Sequence, residues 1–191
     1  MEVLTGLVAI VAVVLAVSGV LKVVDPQPTV DLLVALGVPG GRMAVLGLGL
    51  AEVTAGVVVL SLGGRVATAV VAGLYVAFAA LTAVAMRRAP AGVSCGCFGR
   101  LSTPPSGLHV AVNLVSGAVA ATAAVLDAPP LGDVLADQPL AGIPMLALVL
   151  LGAALTMSLT TVLADTLAAT GADGRPPVRT LSFDPGPGDR P

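Results

Sequence analysis

Charge is what this 191-residue sequence has least of: only 10% of its residues are Asp, Glu, Lys or Arg, against 57% apolar ones. An average soluble domain carries about 25% charged residues, so this chain cannot cover a globule with charge. Tryptophan does not occur, tyrosine occurs once and phenylalanine three times, so the usual Trp/Tyr belt at the membrane interface is nearly missing. Lysine occurs once, against eight arginines, and the net charge is only −2. With no basic block and no aromatic-rich basic stretch, nothing suggests a nucleic-acid partner. Histidine occurs once and cysteine twice.

What is there is long apolar runs. A bilayer core takes about 20 apolar residues per helix, and five stretches meet that length: roughly 3–23, 43–62, 66–86, 108–126 and 141–163. The first, "MEVLTGLVAIVAVVLAVSGVL", has Glu2 where a signal peptide needs a basic region, and its apolar run is too long for a cleaved core. It reads as a retained span. The fold class is therefore all-α, a polytopic transmembrane bundle of four core helices plus a fifth, with the lipid bilayer as its first partner. Residues 1–164 form the membrane domain, and residues 165–191, rich in Pro, Gly and Asp, read as a disordered tail. "TVDLLVALGV" in the first loop suggests a short interfacial turn. Close helix packing in lipid uses small residues, which Gly47/Ala51/Ala55, Ala69/Gly73/Ala77 and Gly117/Ala121 could supply, although Ala and Gly are abundant throughout.

Ionisable residues inside spans cost a few kcal/mol at the bilayer centre and by default mark function. Glu52 lies about ten residues into the second span, hence ~14 Å below its start. Lys22 lies near the end of the first span, on the same side of the membrane. Side chains tilt toward a helix N-terminus, so the two vectors converge and a buried Lys22–Glu52 pair is expected. The competing arrangement has Lys22 snorkelling to the surface and Glu52 protonated. His109 opens the fourth span, either as an interfacial cap or as a catalytic group, and Asn113 follows one turn later on the same face. That polar edge is placed to look toward the loop before it.

Both cysteines sit in that loop, in "AGVSCGCFGR". Three readings compete: buried small hydrophobes, metal ligands, or a redox dithiol. The glycines and prolines around them argue against the first, and a metal needs more ligands than Cys95, Cys97 and His109. Glycine permits the turn that a Cys95–Cys97 disulfide requires, and so short a ring departs from relaxed geometry, which favours exchange over a structural role.

"SGVLKVVDP" at 18–26, "GLAEVTAG" at 49–56 and "CGCFGR" at 95–100, with Asn113 in the following helix, resemble the MauE/DoxX-like family of small membrane proteins, first named for methylamine utilisation. The pattern covers roughly residues 4–126, and "CGCFG" is its most specific element. The resemblance makes Lys22, Glu52, Cys95 and Cys97 the family-type positions. It implies thiol–disulfide exchange or electron relay in the maturation of an extracytoplasmic protein, beside a thioredoxin-like partner. The chain departs from the pattern by lacking tryptophan and by placing Val112 where an arginine commonly precedes Asn113. The rival functions are an assembly or transport subunit with ancillary thiols, and a small-solute transporter using Glu52. No cofactor is evident; a quinone would suit an electron relay, but no residue pattern supports one. Five spans put the cysteine loop on the side holding Lys22, Arg42, Arg87, Arg88, Arg100, Arg175, Arg179 and Arg190, with only Arg65 opposite. The positive-inside rule makes that side cytoplasmic, whereas disulfide formation would favour the oxidising side.

Overall fold

The computed structural model describes residues 2–90, 93–99, 102–137, 139–164 and 166, with the side chains of 139–141 excepted. Among them there is helix and no strand. The expected tail at 165–191 lies outside the described residues apart from Thr166. The elements run α1 Glu2–Val24, α2 Gln27–Ala35, α3 Arg42–Ser61, α4 Arg65–Arg88, α5 Gly107–Leu126, α6 Leu131–Asp137 and α7 Pro139–Ser158, the last continued by a π-helical turn, Leu159–Leu163. Five helices are long and apolar enough to cross a membrane: α1, α3, α4, α5 and the segment Gly142–Leu163. Two short helices add to the five expected spans. The turn in the first loop is α2. At the opposite end of the bundle α6 begins directly after Pro129 and Pro130, and there Thr5 of α1 donates to the Pro129 carbonyl at 3.1 Å.

Helix α1 is the most enclosed element, and it packs against α3, α5 and α7, while α4 and α5 pair with each other. One apolar cluster joins α1, α3, α4 and α5 around Leu15, Val59, Val71 and Ala120. The Tyr75 hydroxyl donates to the Val11 carbonyl at 2.8 Å and ties α4 to α1. The outer faces keep large apolar side chains exposed, such as Leu50, Val57, Val70 and Leu155, as a lipid-facing surface requires.

The small-residue faces differ from the sequence expectation. Gly47 and Ala51 on α3, and Ala69, Gly73 and Ala77 on α4, are exposed; Ala55 is half-buried against the main apolar cluster, and of Gly117 and Ala121 only Gly117 is buried. The close approach uses Gly49 and Gly56 of α3 against α1, with Gly49 meeting Gly19. A Cβ at Gly19 would lie 2.5 Å from the Gly49 carbonyl oxygen and 2.8 Å from the Glu52 Cβ. Because nearly every position on α3 is small or apolar, its sequence does not distinguish the packed stripe from the lipid-facing one. The polar Glu52 does, since it shares its buried face with Val45, Gly49, Gly56 and Val59.

Candidate functional site

The Gly19–Gly49 crossing brings the backbones of α1 and α3 together one turn from the two charged side chains. Lys22 Nζ donates to Glu52 Oε2 at 2.9 Å, with the side chains 3% and 0% exposed. The sequence-expected pair is therefore formed, and the snorkelling alternative for Lys22 is not the arrangement observed. The ammonium has three hydrogens, and all are used: the other two go to Ser18 Oγ at 2.6 Å and to the Cys97 carbonyl at 3.1 Å. Ser18 Oγ in turn donates to the same Cys97 carbonyl at 2.7 Å. The Phe78 ring lies 5.1 Å from the ammonium, close enough for a cation–π attraction. Glu52 Oε1 has no hydrogen-bond partner among the described residues.

The cysteine loop folds down onto this cluster. Cys95 and Cys97 are joined by a disulfide, their Cα atoms 5.5 Å apart. Thr29 of α2 donates to the Gly96 carbonyl at 2.6 Å, so consecutive carbonyls of the Cys-Gly-Cys motif are held by different helices. Gly96 has φ +70°, and a Cβ there would lie 2.7 Å from the Thr29 Cα, so both its conformation and its surroundings require glycine. The Cys95 amide donates to the Thr103 carbonyl at 2.8 Å and the Phe98 amide to Ser102 Oγ at 2.9 Å, which closes the loop on itself. Phe98 is buried with Val14 of α1 and Ala153 of α7 and anchors the motif in the bundle.

His109 is buried, and it is neither exposed at the interface nor a cap on the backbone. Its Nδ1 lies 2.8 Å from Ser106 Oγ and its Nε2 3.4 Å from Thr103 Oγ1. Thr103 gives its only hydroxyl hydrogen to the Thr160 carbonyl at 3.3 Å. That leaves Thr103 Oγ1 to accept from Nε2–H. Thr160 belongs to the π-helical turn after α7, whose irregular hydrogen bonding is of a kind often found at functional sites. Asn113 spends its amide on the His109 carbonyl of its own helix, at 2.8 Å.

Between α1, α4, α5, the end of α7 and the loop lies a narrow crevice, about 30 Å³ of it open to a water-sized sphere. Its lining is largely apolar and includes Val112, with Ser18, Lys22, Cys97, His109, Asn113 and Thr160 among its polar members. Four of the six sequence-selected residues thus meet at one cavity, with Glu52 behind Lys22 and Cys95 across the disulfide. Sequence reasoning missed Ser18, Thr29, Thr103 and Thr160. Hydroxyl residues are common in this chain, and only the fold distinguishes these four. The arginines flanking the loop take a lesser place: Arg87 and Arg88 are exposed, and Arg100 lies outside the described residues. Among the described residues, the cation bonded to the motif is Lys22. Among the described residues no three His, Cys, Asp or Glu side chains come together as metal ligands.

A family model described as methylamine utilisation protein MauE matches residues 1–126, which takes in α1 to α5 and the whole cysteine loop. No curated protein and no solved structure matches the chain.

Proposed function

The chain belongs to the MauE family, and from that membership we propose that this multi-pass membrane protein exchanges thiols for disulfides, relaying electrons for the maturation of an extracytoplasmic protein. Family membership suggests a role in methylamine utilisation. The observation that carries the finer reading is the Cys95–Cys97 disulfide on a loop gripped by the buried Lys22, with Cys97 on the wall of a narrow, largely apolar crevice. A structural staple would gain most by closing a long loop; this bond spans two residues and closes almost nothing.

The exchange balances with one dithiol and one disulfide partner. The dithiol partner reduces the Cys95–Cys97 bond to two thiols and leaves as its own disulfide, passing two electrons and two protons. A second partner, of thioredoxin-like type and in its disulfide form, restores the bond by taking the same electrons and protons and leaves as a dithiol. Lys22 and Glu52 fix the loop and keep a polar interior beside it. By the arginine asymmetry the loop faces the cytoplasm, where a soluble thiol carrier would meet it.

The test is a redox titration of the purified protein in glutathione buffers, reading alkylated thiols by mass. A reversible two-electron transition is expected. Thiols that stay reduced, or a bond that stays closed, across the whole buffer range would refute the proposal. So would a stoichiometric metal that protects both thiols from alkylation.

A further inference from the structure

The two sulfurs are not equivalent, and we infer that Cys97 is the sulfur a partner attacks, while Cys95 leaves and later re-forms the bond. This rests on the exchange reading above and adds the order of events.

Cys95 is 4% exposed, and the chain on both sides of its sulfur is pinned. Its amide is committed to the Thr103 carbonyl, and the next carbonyl, that of Gly96, is held by Thr29. Gly96 itself packs so closely on α2 that no side chain would fit there. An attacking thiolate must approach a disulfide along the extension of the S–S bond, from behind the sulfur it will join, and Cys95, 4% exposed, offers little access to such an approach. Cys97 is only partly buried, and it lines the crevice together with Lys22, His109 and Asn113. The Lys22 ammonium, ion-paired to Glu52, bonds the carbonyl of Cys97 itself and so fixes that residue at the crevice wall.

The step is then ordered. A partner thiolate joins Cys97 Sγ, the Cys95–Cys97 bond breaks, and its electron pair passes to Cys95 Sγ, which takes up a proton. The partner's second thiolate attacks its own sulfur in the mixed disulfide. The partner disulfide forms, Cys97 Sγ receives the electron pair, and it is protonated in turn. The two protons are those lost by the partner's two thiols.

Single variants separate the two sulfurs. Cys95→Ser leaves the Cys97 thiol, and Cys97→Ser leaves the Cys95 thiol; each is mixed in detergent with glutathione disulfide, and mixed-disulfide formation is followed by mass. Because exchange rate depends on access, Cys95→Ser should react about tenfold faster or more. The difference should vanish once both variants are unfolded. Equal rates in the folded proteins, or a faster Cys97→Ser, would overturn the inference. Should a variant not fold, the reduced wild-type protein is treated with substoichiometric maleimide and its peptides mapped: label chiefly on Cys97 supports the order, and label chiefly on Cys95 refutes it. The wild-type redox titration stands apart from both measurements. A pair that cycles reversibly but labels first at Cys95 sinks this order alone. A pair that does not cycle sinks the exchange function.

Discussion

Replacing Lys22 with methionine would remove three hydrogen bonds at once and leave Glu52, 0% exposed, with neither carboxylate oxygen partnered. Breaking a buried ion pair by removing one partner costs about 3–5 kcal/mol, because the survivor is an uncompensated buried charge. Lys22→Met should lie at the upper end, since Ser18 and the Cys97 carbonyl also lose a donor. Glu52→Met should cost less, because the ammonium keeps two of its three acceptors. At about 2–4 °C per kcal/mol for a chain of this size, the lysine variant should lose about 10–20 °C in melting temperature. The double variant Lys22→Met/Glu52→Met exchanges both charges for apolar groups of similar volume, a change that is often close to neutral. It should therefore melt above Lys22→Met alone. The assay is thermal unfolding of all four proteins in one detergent, taken as a double-mutant cycle. Losses that add within about 0.5 kcal/mol would show that the two residues do not act as a pair.

Three further outcomes follow from the same geometry. Gly19→Ala should destabilise the bundle by about 1–3 kcal/mol through overpacking, since its Cβ would meet the Gly49 carbonyl at 2.5 Å, whereas Gly47→Ala, with nothing within 4 Å, should be neutral or slightly stabilising in the same melts. Thr29→Val should cost about 1 kcal/mol for the lost bond to the Gly96 carbonyl, and it should speed reduction of the disulfide by dithiothreitol; an unchanged rate would mean that α2 does not restrain the loop. In intact cells, after mild reduction, a membrane-impermeant maleimide should not label Cys95 or Cys97, and should label them once the cells are lysed; strong labelling from outside would reverse the proposed orientation.

The parts of this structure legible in the sequence are those where a residue type is scarce. Five apolar runs give five spans because hydropathy alone decides them. Lys22 and Glu52 are legible because charge is so rare that each must be accounted for within its span. The glycine contacts are hidden for the opposite reason: on α3 the exposed Gly47 and the buried Gly49 are chemically identical, and only Glu52 marks the buried face. The seven-residue α6 is too short for a period to show. The burial of His109 depends on Thr103 and, through it, on Thr160 in the last span, and no local pattern joins residues so far apart. The crevice itself is a product of tertiary packing. Its far wall comes from the last span, beyond the residues that the family pattern covers.

The buried pair also bears on how the chain enters the membrane. Lys22 is synthesised thirty residues before Glu52, so α1 reaches the bilayer before the carboxylate that buries its cation. Lys22 lies in the last turn of α1, where an unburied ammonium stays at the headgroup level until α3 arrives. When it does, the bare glycine faces let the two backbones meet, and the carboxylate cancels the charge as it sinks. The unit that inserts is then the α1–α3 hairpin rather than either helix alone. The cysteine loop, made later still, settles onto a lysine whose third hydrogen has been waiting for a carbonyl.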